Sequence, residues 1–219
     1  MTERLPLFPL DLVLFPGMFL PLHIFEPRYR LLMRRCSERE SRFGVVLIRA
    51  ATEAGAPTQP HRVGTAAAIV AVNALPDGRS FVVARGERRF AIERVIDDEE
   101  PYLVGEVSWL EEADGPDAGP AAAAAREAYG EYLLAVSAAT AEEGAEPTAE
   151  PAATLSPGEL SFRIAADLPI PNPDRQRLLE SPTAAARITA ELHALQRETA
   201  LLRDLLVRLR AHGGGSQLN

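Results

Sequence analysis

The run from Leu5 to Arg30, LPLFPLDLVLFPGMFLPLHIFEPRYR, constrains this chain more than any other part of it, because five prolines punctuate an otherwise apolar stretch. A continuous helix is excluded, since an internal proline removes a backbone donor and its ring clashes with the preceding turn. A membrane span is excluded for the same reason, and Asp11 would be an unpaired carboxylate in lipid. The run must therefore fold as short extended segments joined by turns, with its prolines at sheet edges or rims where a missing N–H is tolerated.

The remaining segments read in the same way. Pro27 suits the first position of a helix whose apolar face carries Tyr29, Leu32, Met33 and Cys36. Phe43 to Ile48 is a continuous apolar strand, and Val63 to Val72 is another. Pro76-Asp77-Gly78 is a turn leading into a return strand from Ser80 to Ala84, and Gly86 is expected to break the chain before a further strand from Arg89 to Ile96. A last strand runs from Tyr102 to Leu110. The total of about six or seven is enough to close a small barrel. This β-barrel unit is placed at residues 1–113.

Composition changes at DGPDAGP. Residues 114–119 form a breaker-rich connector, and residues 120–211 are helical by pattern, with an acidic, proline-bearing loop at 141–154 and a glycine-rich tail at 212–219. Ser156-Pro157-Gly158-Glu159 matches a capping box, and Asn172-Pro173 and Ser181-Pro182 start two further helices. The final helix carries Ile188, Leu192, Leu195, Thr199, Leu202, Leu206 and Leu209 at spacings of four and three. That seam belongs either to the helix's own bundle or to self-association with a second chain. The fold class is α+β: a small barrel with one helix, then a helical bundle ending in a long helix.

Composition removes several chemistries. All 23 basic residues are arginine. Without lysine there is no phosphate-gripping Walker loop, no Schiff base and no Ser-Lys dyad. A net charge of −8 opposes binding to a phosphate backbone. The single cysteine, Cys36, cannot form an internal disulfide, and Asp11 with the prolines interrupts any signal-peptide core, so a cytoplasmic protein is expected. No spacing suggests a metal site, a cofactor loop or a catalytic pair. Of the four histidines only His23 lies near a possible nucleophile, Cys36, and a satisfied core histidine is the ordinary reading of it.

Leu5-Pro6-Leu7, Phe15-Pro16-Gly17 and Pro21-Leu22, followed by a helix, resemble the start of the substrate-binding N-terminal domain of Lon proteases. Val63-Gly64-Thr65-Ala66-Ala67, Arg85-Gly86-Glu87-Arg88-Arg89-Phe90 and Pro101-Tyr102-Leu103 extend the resemblance, which covers Leu5 to Leu209. It implies a barrel similar to the pseudouridine-synthase-associated (PUA-like) type followed by a helical subdomain. It also implies a non-catalytic module that recognises polypeptide clients or serves as an adaptor to a protease or chaperone. Lon enzymes continue into ATPase and peptidase domains, and this sequence is expected to be a form without them. An RNA-binding PUA-like protein and a small enzyme with an unrecognised site stay open as alternatives.

Two groups of residues are candidates for binding. Phe8, Phe15, Phe19, Phe25 and Tyr29 concentrate aromatic side chains near prolines, and those left exposed would form a surface for unfolded polypeptide; Phe15 and Phe19, flanking Gly17, are the first choice. Arg85 and Arg88 could form a polar rim to that surface, with Glu26, Arg28, Arg30, Glu87 and Arg89 as further charged positions. The bland alternative is an ion-pair network tying the helix after Pro27 to the Gly86 turn.

Overall fold

A computed structural model describes residues 2–49, 59–96, 99–140 and 154–213. The expected acidic loop at 141–154, save Thr154, and the end of the tail lie outside them. Two compact units result: Met1–Glu112 with Ile170–Glu180, and Ala113–Pro169 with Ser181–Asn219.

The first unit contains six strands, β1 (Glu3–Leu10), β2 (Phe19–Ile24), β3 (Phe43–Leu47), β4 (Val63–Ala74), β5 (Ser80–Ile96) and β6 (Val104–Trp109), with α1 (Pro27–Glu38) between β2 and β3. Their order is β2-β5-β4-β3-β1-β6, and β5 also pairs with β6, so five strands close a ring and β2 is appended to the first half of β5. Leu5, Leu7, Val46, Phe90, Ile92 and Val107 fill one core. A second core gathers Phe8, Leu22, Ile24, Leu32, Met33 and Phe43, with α1 supplying its apolar face. Strand β3 is buried at every position, as its unbroken apolar sequence requires.

Strand β1 is not an edge strand, contrary to what its prolines suggest. It pairs antiparallel with β6 through Glu3–Pro6 and parallel with β3 through Leu7–Leu10. Leu7 N–H donates to the Leu103 carbonyl and Ile48 N–H to the Leu10 carbonyl, which fixes the alternation: odd residues of β1 face β6, even residues face β3. Pro6 therefore points toward β3 before that pairing starts, and Pro9 toward β6 after that pairing has ended. Each missing N–H falls on a side with no ladder bond to lose.

Gly86 does not interrupt the sheet either. Strand β5 runs through it for 17 residues. The glycine serves a close approach instead: Gly17 N–H donates to the Gly86 carbonyl, Gly86 N–H donates to the Met18 carbonyl, and a Cβ at position 86 would collide with the Phe15 carbonyl oxygen. At the far end of the ribbon, Gly78 adopts φ of +81°, which completes the expected Pro-Asp-Gly turn between β4 and β5.

Helix α4 (Asn172–Glu180) belongs to the barrel unit, not to the helical subdomain expected over 120–211. Gln176 Nε2 donates to the Val63 carbonyl at 3.0 Å, Asn172 Nδ2 to the Asp11 carbonyl at 3.0 Å, and the Arg175 guanidinium lies 5.1 Å from the Phe15 ring centre. The strongest tie is Arg89, which is buried. Its Nε and Nη2 hold Glu112 in a fork at 2.5 and 3.0 Å, and its Nη1 donates to the Leu179 carbonyl at 2.6 Å. A nine-residue helix with few apolar positions is docked by these polar contacts together with its buried Leu178 and Leu179.

The second unit is α2 (Ala118–Thr140), α3 (Pro157–Asp167) and α5 (Ala184–Gly213). Helix α2 starts inside the expected connector, and α5 continues into the expected tail. Ser156 caps α3 as the motif predicts, its hydroxyl accepting from Glu159 N–H while the Glu159 side chain accepts from Ser156 N–H. Arg187 Nε donates to Ser161 Oγ at 2.6 Å, and its guanidinium stacks 3.8 Å from the Phe162 ring centre. Ile188, Leu195 and Thr199 of the heptad seam are buried within the unit. Among the described residues no helix is long and apolar enough to cross a membrane.

Candidate functional site

Strand β2 carries the site because it pairs on one side only. Its even residues Leu20, Leu22 and Ile24 are buried, and its odd residues Phe19, Pro21 and His23 are exposed. Gly86 N–H bonds to the Met18 carbonyl, so the even backbone groups face β5 and the odd ones face away from it. The free edge therefore presents N–H and C=O at Phe19 and His23 and C=O at Pro21, none with a partner among the described residues. Proline at the middle position leaves one donor fewer on that edge.

An aromatic surface surrounds this edge. Phe19 is 57% exposed, Phe25 58% and Phe81 50%. His23 stands opposite Phe81 in the β2–β5 register and stacks on it, ring centres 4.8 Å apart, and the Phe25 ring centre is 5.8 Å from that of His23. The Arg85 guanidinium lies 5.8 Å from the Phe19 ring centre. Beside the edge a groove of about 660 Å³ opens between β2, the end of β1 and the start of α1, lined among others by Phe8, Pro9, Leu10, Phe25 and Tyr29. Tyr29 is buried, its ring 4.2 Å from that of Phe8, and burial raises its hydroxyl above the ordinary tyrosine range. The Arg28 guanidinium covers the same ring at 4.5 Å and pairs with Glu26 at 2.9 Å.

The residues singled out from sequence divide accordingly. Phe19, Phe25 and Arg85 come together on one face, and Tyr29 forms part of the groove wall. Phe15 does not join them: it is fully buried, its ring against Arg175 and its carbonyl against Gly86, so the choice of Phe15 as an exposed anchor is corrected. Arg88 is exposed elsewhere, 5.3 Å from the Trp109 ring centre. The charged positions near Gly86 take other partners than α1. Glu87 pairs with Arg42, beyond the end of α1, and Arg89 pairs with Glu112.

His23 is not a core histidine and does not meet Cys36, whose buried thiol donates to the Arg42 carbonyl at 3.7 Å and is pushed up in pKa by that burial. Sequence reasoning missed Phe81, whose place beside His23 depends on cross-strand register. It could have included His23, which shares the period-two face of Phe19 and Pro21.

A model of the ATP-dependent protease La (LON) substrate-binding domain matches residues 4–197. A Lon protease of Roseiflexus castenholzii is 30% identical over 203 residues, covering 91% of this chain and 25% of that protein. A Lon protease of Parabacteroides distasonis is 33% identical over 112 residues, covering 50% of this chain and 14% of that protein. The chain thus spans a quarter or less of the length of these relatives. The crystal structure of a Lon N-terminal domain protein from Xanthomonas campestris superposes with a TM-score of 0.63 at 29% identity, covering 87% of this chain and 98% of that one. With the strand–turn–strand start, the closed sheet and the helical second unit all in place, the chain belongs to the LON substrate-binding domain family.

Proposed function

We propose that this protein recognises extended, apolar stretches of client polypeptide and leaves covalent chemistry to a protease or chaperone to which it delivers them. The observation that carries this reading is the coincidence of a free strand edge with three half-exposed phenylalanines. An extended peptide is the ligand whose backbone pairs with such an edge and whose alternate side chains meet an apolar surface. Phe25, His23 and Phe81 would pack the side chains on one face, and the groove at Phe8 and Tyr29 would take those on the other. Arg85 at the rim adds a planar donor fork for a backbone carbonyl or a carboxylate.

Fluorescence anisotropy of a labelled, permanently unfolded protein titrated with the chain tests the proposal. Saturable binding is expected, weakened at least tenfold by combined Phe19→Ala, Phe25→Ala and Phe81→Ala, since buried aromatic anchors dominate such interfaces. Absence of binding to several unfolded proteins would refute it. So would cleavage of a peptide bond by the purified chain.

A further inference from the structure

The geometry points to a second ligand site, separate from the aromatic face: the groove between α1 and the β4–β5 turn takes an acidic, aliphatic segment of a partner polypeptide. The groove has a volume of about 640 Å³, the size range of clefts that enclose a small ligand or a few side chains. Its floor includes Leu31, Val72 and Ala74, and Val72 is 50% exposed. Arg30, Arg34 and Arg79 stand around that floor, with Glu38 the one acidic residue in the lining.

The charges are what identify the occupant. Arg79 is committed to Asp77 at 2.7 Å. Arg30 and Arg34 are exposed, four residues apart on one face of α1, and have neither an ion pair nor a hydrogen bond among the described residues. Like charges at this spacing cost a helix about 0.2–0.5 kcal/mol. No carboxylate among the described residues forms an ion pair with either, although Glu38 stands one turn beyond Arg34, on a chain whose net charge is −8. The Arg30 guanidinium lies against the Gly78 turn, in space that a Cβ at position 78 would take.

Two guanidinium forks over an aliphatic floor complement a segment that carries both carboxylates and branched aliphatic side chains. A bare phosphate would leave the floor uncovered. A nucleic-acid backbone would gain only two unpaired cations and would likewise leave the floor uncovered.

A short labelled peptide in which leucines alternate with glutamates, and its counterpart with lysine in place of every glutamate, test the inference by anisotropy. The glutamate peptide should bind, more weakly as salt rises, and the lysine peptide should not. Combined Arg30→Glu and Arg34→Glu should weaken binding by about tenfold to a hundredfold, the range for lost charge-assisted hydrogen bonds. Val72→Asn should weaken it without changing the charge around either arginine, and Trp109 fluorescence would verify that each variant is folded. The triple phenylalanine variant of the aromatic face should bind the glutamate peptide as the wild type does, so the two sites succeed or fail separately. Equal binding of both peptides, wild-type affinity in the arginine variant, or displacement of the peptide by a short RNA at lower concentration than by unlabelled peptide would overturn it.

Discussion

Two phenylalanines four positions apart, Phe15 and Phe19, should respond to truncation in opposite ways. Phe15 is fully buried and packs against Arg175, whereas Phe19 is 57% exposed and touches Arg85. Deleting a buried phenylalanine ring costs about 3–5 kcal/mol, the lost transfer energy plus the cavity left behind. For a unit of slightly more than a hundred residues, each kcal/mol moves the midpoint by roughly 4 °C, so Phe15→Ala should lower it by about 12–20 °C. Phe19→Ala forfeits a half-buried ring and a surface cation–π contact, about 1 kcal/mol and roughly 4 °C. Trp109 is the only tryptophan, and it sits in β6 with its ring edge-on to Phe90 at 6.5 Å, so its fluorescence follows the barrel unit. Thermal and urea unfolding read at that residue give the stability ranking. Anisotropy with unfolded protein, below both midpoints, should give the reverse ranking, with Phe19→Ala the weaker binder. Equal midpoints for the two variants, or greater loss of binding in Phe15→Ala, would refute the assignment of one ring to the core and the other to the surface.

Gly86→Ala should destabilise the barrel unit by about 1–3 kcal/mol, because the added methyl drives into the Phe15 carbonyl; the Trp109 unfolding midpoint measures it. Glu112→Ala should cost about 3 kcal/mol by leaving the buried Arg89 without its carboxylate, and Arg89→Met combined with Glu112→Ala should cost less than the sum of the single changes, as a double-mutant cycle in urea would show. Glu191 is buried in α5, its carboxyl oxygens accept no hydrogen bond among the described residues, and burial raises its pKa well above the ordinary 4.5 against the opposing pull of Arg187. A raised folded-state pKa means that the folded form holds the proton more tightly. The contribution to stability is therefore full below about 4.5 and is lost as pH rises through the elevated value. Glu191→Gln should flatten that dependence, followed by circular dichroism of the helices during urea unfolding at a series of pH values, and an unchanged slope would refute the role of this carboxyl.

Whatever local chemistry decides was legible in the sequence. Pro27 opens α1, Pro76-Asp77-Gly78 turns the β4–β5 ribbon, and Ser156 with Glu159 caps α3, because each of these rests on a side chain acting on its own neighbouring backbone. What stayed hidden depends on a second segment arriving. Gly86 reads as a breaker until the Phe15 carbonyl is seen pressed against it, and α4 reads as part of the bundle until Arg89 is seen reaching Leu179. The site shows both kinds of information at once. The alternation of Phe19, Pro21 and His23 along β2 is a period-two signal present in the sequence, whereas Phe81 joins them through register alone. The prolines connect the two. Pro6 and Pro9 were readable as residues that forgo a ladder bond, and only the switch of β1 from β6 to β3 shows where that bond is not needed. Pro21 forgoes its donor on the outer edge of β2, and there the polypeptide-binding reading predicts an incoming strand whose own carbonyl opposite Pro21 is left to water or to Arg85.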